Sequence, residues 1–159
     1  IVGRRSVMEA AQDTFISSTF WTERIGYTAA LASIKKMEEH NVPEKLIHYG
    51  NLINKGWSEL AQKHGLDIHI SGIPPLTHIS FNGENPLALQ TLYTQEMLIR
   101  GFLIGSAVYT SYAYTEEIIE SFFESTDKCF AMIAMALRNG SVFSSLKGDV
   151  IHAGFRRLT

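Results

Sequence analysis

The chain has 159 residues, 45% hydrophobic and 19% charged, and its 14 basic against 16 acidic side chains leave a net charge of −2. This length and composition describe a globular chain able to bury a real core, either as one domain or as part of a larger protein. No basic field points to nucleic acid, no apolar run reaches membrane-spanning length, and the single Cys129 excludes an internal disulfide framework and favours a reducing cytoplasm.

The opening "IVGRRSVMEAAQDT" has no initiator Met and begins in apolar residues that read as the end of a strand. Such a start is expected either where processing removes a leader or where the chain is the latter part of a longer polypeptide, and the second is the favoured expectation. Met8 to Ala11 reads as a helical turn, followed by the loop "FISSTFWTERIG" at 15–26. Thr22 is the expected N-cap of a helix running to about His40, with Ala-rich adjoining stripes suited to close packing on two sides. Pro43 opens a second helix, because its missing N–H is an orphan in a first turn anyway. Leu46, Gly50, Ile53, Trp57 and Leu60 mark its buried face, and Gly65 is the expected stop.

From Leu66 the period changes from helical to alternating. "DIHISGI" and "LTHISF" read as two strands separated by Pro74 and Pro75. "NGEN" is a turn, and Pro86 begins a third helix to about Arg100, closed by Gly101. "FLIGSAVYTSYAY" reads as strand at its start, with a break at Gly105-Ser106. Thr115, Glu116 and Glu117 form a strong helix start, since acids in a first turn meet the positive end of the dipole. Ile119, Phe122, Phe123, Phe130, Ile133, Ala134 and Leu137 keep the 3.6 period until Asn139-Gly140, and the tail 141–159 is mixed. The pattern is α+β, with helices on one face of a small, mainly antiparallel sheet.

The chemistry-bearing residues are sparse. His69 and His78 fall in adjacent strands without a third ligand at metal-binding spacing, and Cys129 reads as a buried structural thiol. Lys35 and Lys36 suit the negative end of the first long helix, and Lys45, Lys55 and Lys63 lie at or beside the polar face of the next. Lys128 and Lys147 have no visible apolar pocket. None of these lysines shows the desolvation or cationic neighbour that activates a Schiff-base amine. The loop is different, because Ser17, Ser18 and Thr19 stand just ahead of a helix N-terminus between Phe15, Phe20 and Trp21. Hydroxyls and free N–H groups in that position can hold a phosphate, or can simply cap the helix with aromatic packing around them.

The segment "GRRSVMEAAQDTFISSTFWTERIGYTAALASI" resembles the region just after the cofactor lysine in class III aminotransferases, fold-type I enzymes that use pyridoxal 5′-phosphate (PLP). "GFLIGSAVYTSYAYTEEIIESF" is similar to the late strand-to-helix segment of the glutamate-1-semialdehyde 2,1-aminomutase-like branch, and "HISGIPPLTHISF" stands where the family has small-domain strands. The resemblance implies the C-terminal part of a homodimeric enzyme acting on small amino donors and acceptors of carboxylate or sugar type. Residues 1–21 then close the large PLP-binding domain, 22–41 form an interdomain helix, and 42–159 form the small domain. It implies that Thr19, with Ser18 as a second donor, contacts the PLP phosphate of the neighbouring subunit. The Schiff-base lysine falls upstream of Ile1, so no catalytic residue is assigned within the chain, and the chain alone is expected to be inactive. The late segment also lacks the Arg that some relatives use for a substrate carboxylate. A different class of function, a stand-alone dimerisation or regulatory α+β domain, is the alternative.

Overall fold

A computed structural model describes residues 3–15, 19–20 and 22–154, and the chain divides into two units, Ile1–His40 and Asn41–Thr159. In the first unit a short helix α1 (Arg5–Met8) runs into a 3-10 turn (Glu9–Asp13), and α2 spans Ile25–Glu39. The early helical turn thus begins and ends beyond the expected Met8–Ala11. Helix α2 starts later than the sequence suggested, with Arg24 rather than Thr22 as its N-cap. The Glu23 N–H donates to Phe20 O at 2.8 Å, closing a turn that holds Thr22 outside the helix. No residue of α2 is buried, and Ile25, Tyr27, Leu31, Ile34 and Met37 are all exposed.

The second unit holds the core. Helix α3 (Val42–His64) has Pro43 in its first turn and ends at Gly65, whose φ of 67° lies in the left-handed region. The Gly65 and Leu66 N–H groups donate to Gln62 O and Ala61 O, satisfying carbonyls that the helix leaves open. Tyr49, Gly50, Ile53, Gly56, Trp57 and Ala61 form its buried face, while Leu46 and Leu60 are only half-buried.

Strands β1 (Ile68–Ile73) and β2 (Leu76–Phe81) pair antiparallel with Ile73 opposite Leu76, so Pro74 and Pro75 alone make the turn. Helix α4 (Pro86–Ile99) follows, then β3 (Ala107–Tyr109), which pairs antiparallel with β2 to give the order β1-β2-β3. The strand therefore lies after the Gly105-Ser106 break, and Phe102–Ile104 stay outside the sheet. The reason is the partner: Val108 stands opposite Thr77, and β2 offers register to residues 107–109. Helix α5 (Glu116–Arg138) completes the layer, with the Thr115 hydroxyl accepting from Ile118 N–H as the expected cap.

Helices α3 and α4 touch the sheet, and α5 packs on both of them. Thr77, Ile79 and Phe81 face these helices and are buried, while Ser80 on the opposite face is exposed. The fold is α+β with the helices on one face of an antiparallel sheet, as its period-2 and period-3.6 segments indicate. Phe81, Tyr93 and Phe130 meet edge-on or tilted at ring separations of 5.7 to 6.0 Å, the spacing aromatic quadrupoles favour. Leu137, expected on the apolar stripe of α5, is exposed, and in the last turn it is Ala136 that faces the core.

Candidate functional site

Thr19 occupies an exposed bend, followed by exposed Phe20 and by the turn that leads into α2. Among the described residues its hydroxyl has no hydrogen-bond partner. Ser17, Ser18 and Trp21 lie outside the described residues. The N-terminus of α2 has no side-chain cap and no acidic residue in its first turn. Helix α5 is the opposite case, with a Thr cap and two glutamates in its first turn. The start of α2 therefore offers free main-chain donors and the positive end of a dipole without a competing carboxylate in its first turn, and Thr19 precedes it in the chain. A helix start of that kind favours an anion over a cation.

None of the lysines is fully buried. Lys35 and Lys55 make exposed i,i+4 pairs with Glu39 and Glu59, and Lys63 donates to both oxygens of Asp127 at 2.8 Å. Lys36, Lys128 and Lys147 are exposed. Lys45 departs from the expected solvated surface residue, being half-buried with its Nζ 4.5 Å from the centre of the Tyr112 ring. His69 stands opposite Ser80, and His78 opposite Ser71, on the sheet face away from the helices. Among the described residues no three His, Cys, Asp or Glu side chains gather as a metal site. Cys129 is fully buried, and burial pushes its thiol up to about 12.

Two polar clusters escaped the sequence reading. His64 Nε2 lies 2.6 Å from Asp127 Oδ1 beside the Lys63 contact, tying the end of α3 to the middle of α5. Asp127 lies 63 and 64 residues from His64 and Lys63 in the sequence, so no local signal announces the contact. In the second cluster Arg100 Nη1 donates to Glu96 Oε2 at 2.7 Å, and Gln95 Nε2 donates to Glu96 Oε1 at 3.0 Å. Burial raises the pKa of Glu96, but these bonds and the charges of Arg100 and Lys147 outweigh it and hold the carboxyl below its usual value. The Glu96–Arg100 spacing of four was available in the sequence as a helix-face pair.

No family model matches the chain. A 2'-deamino-2'-hydroxyneamine transaminase of Streptomyces kanamyceticus is 24% identical over 127 residues, covering 77% of this chain and 32% of that protein. An aminopentol aminotransferase of Sphingopyxis macrogoltabida is 23% identical over 135 residues, covering 84% of this chain and 32% of that protein. A glutamate-1-semialdehyde 2,1-aminomutase of Methanococcoides burtonii is 28% identical over 91 residues, covering 55% and 21%. Among solved structures, the FumI protein of Sphingopyxis sp. MTA144 in its PLP internal aldimine form matches 92% of this chain and 34% of that one. Its TM-score is 0.75 at 25% identity.

The chain resembles the class III PLP-dependent aminotransferases and aminomutases. Its α+β fold is that of a portion of such a protein, and it spans about a third of the length of the first two curated relatives. The stand-alone dimerisation or regulatory domain is not favoured, since each of these three relatives is named as an aminotransferase, a transaminase or an aminomutase. Among the described residues, no helix of this aminotransferase-like chain is long and apolar enough to cross a membrane.

Proposed function

We propose that the chain is the C-terminal portion of a PLP-dependent aminotransferase or aminomutase that moves an amino group on, or between, small carboxylate or sugar-type substrates. The observation that carries this reading is the match of 92% of the chain to one PLP protein at a TM-score of 0.75. In this reading residues 1–21 close the large domain, 22–41 form the interdomain helix, and 42–159 form the small domain. The enzyme works as a homodimer.

When bound, PLP supplies an electron sink for the carbon that carries the amino group. The part taken by this chain is anchorage. The Thr19 hydroxyl and the free N–H groups at the start of α2 hold the phosphate of the partner subunit's cofactor, with Ser18 as a second donor. By holding a phosphate there these residues would position the cofactor, and positioning lowers a barrier. In this reading the reacting amine comes from outside the chain, which the exposed or ion-paired lysines, and Lys45 against an aromatic ring, support.

Thr19→Val in the PLP-loaded enzyme tests the assignment. A charge-assisted hydrogen bond is worth roughly 1.5–3 kcal/mol, so PLP is expected to dissociate about 10- to 150-fold more readily on dialysis, followed by cofactor absorbance. Unchanged retention removes Thr19 from the site. The 159-residue chain with added PLP is expected to turn over no amino donor, and observed turnover overturns that assignment of roles.

A further inference from the structure

The tail beyond α5 is held in an unusual way. After a 3-10 turn (Phe143–Ser145), the Leu146 N–H donates to Phe143 O at 3.2 Å. Beyond that bond, among the described residues, no main-chain partner holds residues 147–151. Side chains of α4 take over. Gln95 Nε2 donates to Ser145 O at 3.0 Å, and Gln95 Oε1 accepts the Lys147 N–H at 2.7 Å. One helical turn back, Thr91 Oγ1 accepts the Ile151 N–H at 3.0 Å while donating to Leu87 O. Leu146 and Val150 pack against the core between these points.

The distances leave slack. Thr91 and Gln95 are separated by about 6 Å of helix, whereas the four residues from Lys147 to Ile151 span up to about 13 Å when extended. The segment therefore has room to arch between its attachments, with Val150 half-buried against the core. A segment with no ladder or helix of its own, two apolar anchors and two side-chain attachments has little local stability, so it belongs to the low-energy end of opening motions. Its first attachment is also not isolated. Gln95 Nε2 contacts Glu96 Oε1, and Glu96 is in turn held by Arg100. Orientation of the Gln95 amide is thus set by the same network that satisfies the buried Glu96 carboxylate.

We propose that residues 146–151 form a latched strap that opens and closes as one unit on the face of α4, with the Gln95 amide and the Thr91 hydroxyl as its two latches. Each latch holds an amide whose exchange reports opening: Lys147 for Gln95, and Ile151 for Thr91. Because the arch joins them, loss of either latch releases both. The amide beyond the arch loses protection although its own partner is intact.

Native-state hydrogen exchange of the chain tests this. Thr91→Val removes the acceptor of Ile151 and leaves Gln95 untouched, and a strap that moves as one accelerates Lys147 exchange as well, by about ten-fold. Gln95→Ala is expected to accelerate Ile151 in the same way. Acceleration confined to the amide whose own acceptor was removed overturns the proposal, since the contacts then fray independently. So does exchange of Lys147 and Ile151 in the parent chain at the rate of the core amides of Tyr93 and Phe130, since nothing then opens locally. If Gln95→Ala does not fold, the two rates in Thr91→Val decide alone.

Discussion

Gly50→Ala is expected to be among the most damaging single-methyl changes in the second unit. A Cβ built at Gly50 lies 1.8 Å from the carbonyl oxygen of Pro74, 2.3 Å from its carbonyl carbon and 2.8 Å from its Cα. Comfortable non-bonded contact needs about 3.5 Å, so α3 and the hairpin turn must separate. No side chain can rotate away, because all three obstructing atoms are backbone, and Pro74 and Pro75 are the whole of the turn. The Pro75 carbonyl also accepts from Thr110 N–H at 3.0 Å, so displacing the turn strains the chain that leaves β3. Overpacking costs about 1–3 kcal/mol or more, against a gain of about 1 kcal/mol from replacing Gly inside a helix. The expected net loss is about 1–2 kcal/mol, or a fall in Tm of roughly 3–10 °C for a unit of this size. Thermal melts and urea midpoints followed by circular dichroism measure it. Gly26→Ala in α2 is the control, since its Cβ meets nothing within 4 Å. A Gly50→Ala chain that melts at or above the parent refutes the packing argument.

Other outcomes follow from the buried polar groups and charged ties. Tyr93→Phe leaves the Trp57 indole N–H, which donates to the Tyr93 hydroxyl at 3.1 Å, without a partner in the core. A loss of about 1–3 kcal/mol in urea-derived stability is expected, and a neutral result means the indole finds another acceptor. Lys63 and His64 hydrogen-bond the Asp127 carboxylate and hold its pKa below the usual value. A depressed folded-state pKa gives stability that is present above the unfolded value, near pH 3.9, and is lost as pH falls through the folded value. The Asp127 side chain is about one-third exposed (34%), so the effect is modest and salt-screened. Asp127→Asn is expected to flatten that acid limb of urea midpoint against pH, and an unaltered limb removes Asp127 as a contributor. Cys129 is expected to resist an aromatic disulfide reagent in the folded chain and to react fully in urea, because the fully buried thiol is pushed up to about 12. Rapid labelling without denaturant contradicts its burial.

The regular elements were largely legible because their signals are local. Pro43 and Gly65 bracket α3, Thr115 with two glutamates opens α5, and alternation at 68–73 and 76–81 marks the hairpin. The misplaced elements lacked such signals. Thr22 has the chemistry of a cap, but a turn between Phe20 and Glu23 takes the chain there first. Leu103 and Ile104 are β-formers, yet β2 pairs with 107–109 instead. The run of hydroxyls that motivates the proposed phosphate contact at Thr19 stands in the sequence itself. The absence of any side-chain cap or first-turn acid at the start of α2 became visible only with the helix boundary in place.

By itself the sequence determined the element types, their order and the α+β class, because period and capping act within a few residues. It also carried the aminotransferase resemblance in the order of its segments. Tertiary structure decided which distant groups meet. The Lys63–His64–Asp127 tie, the Trp57–Tyr93 bond, the approach of Gly50 to Pro74 and the hold of Gln95 on Lys147 join residues from different elements. Such pairs depend on how helices and strands pack against one another, and no local pattern in either partner encodes the distance between them.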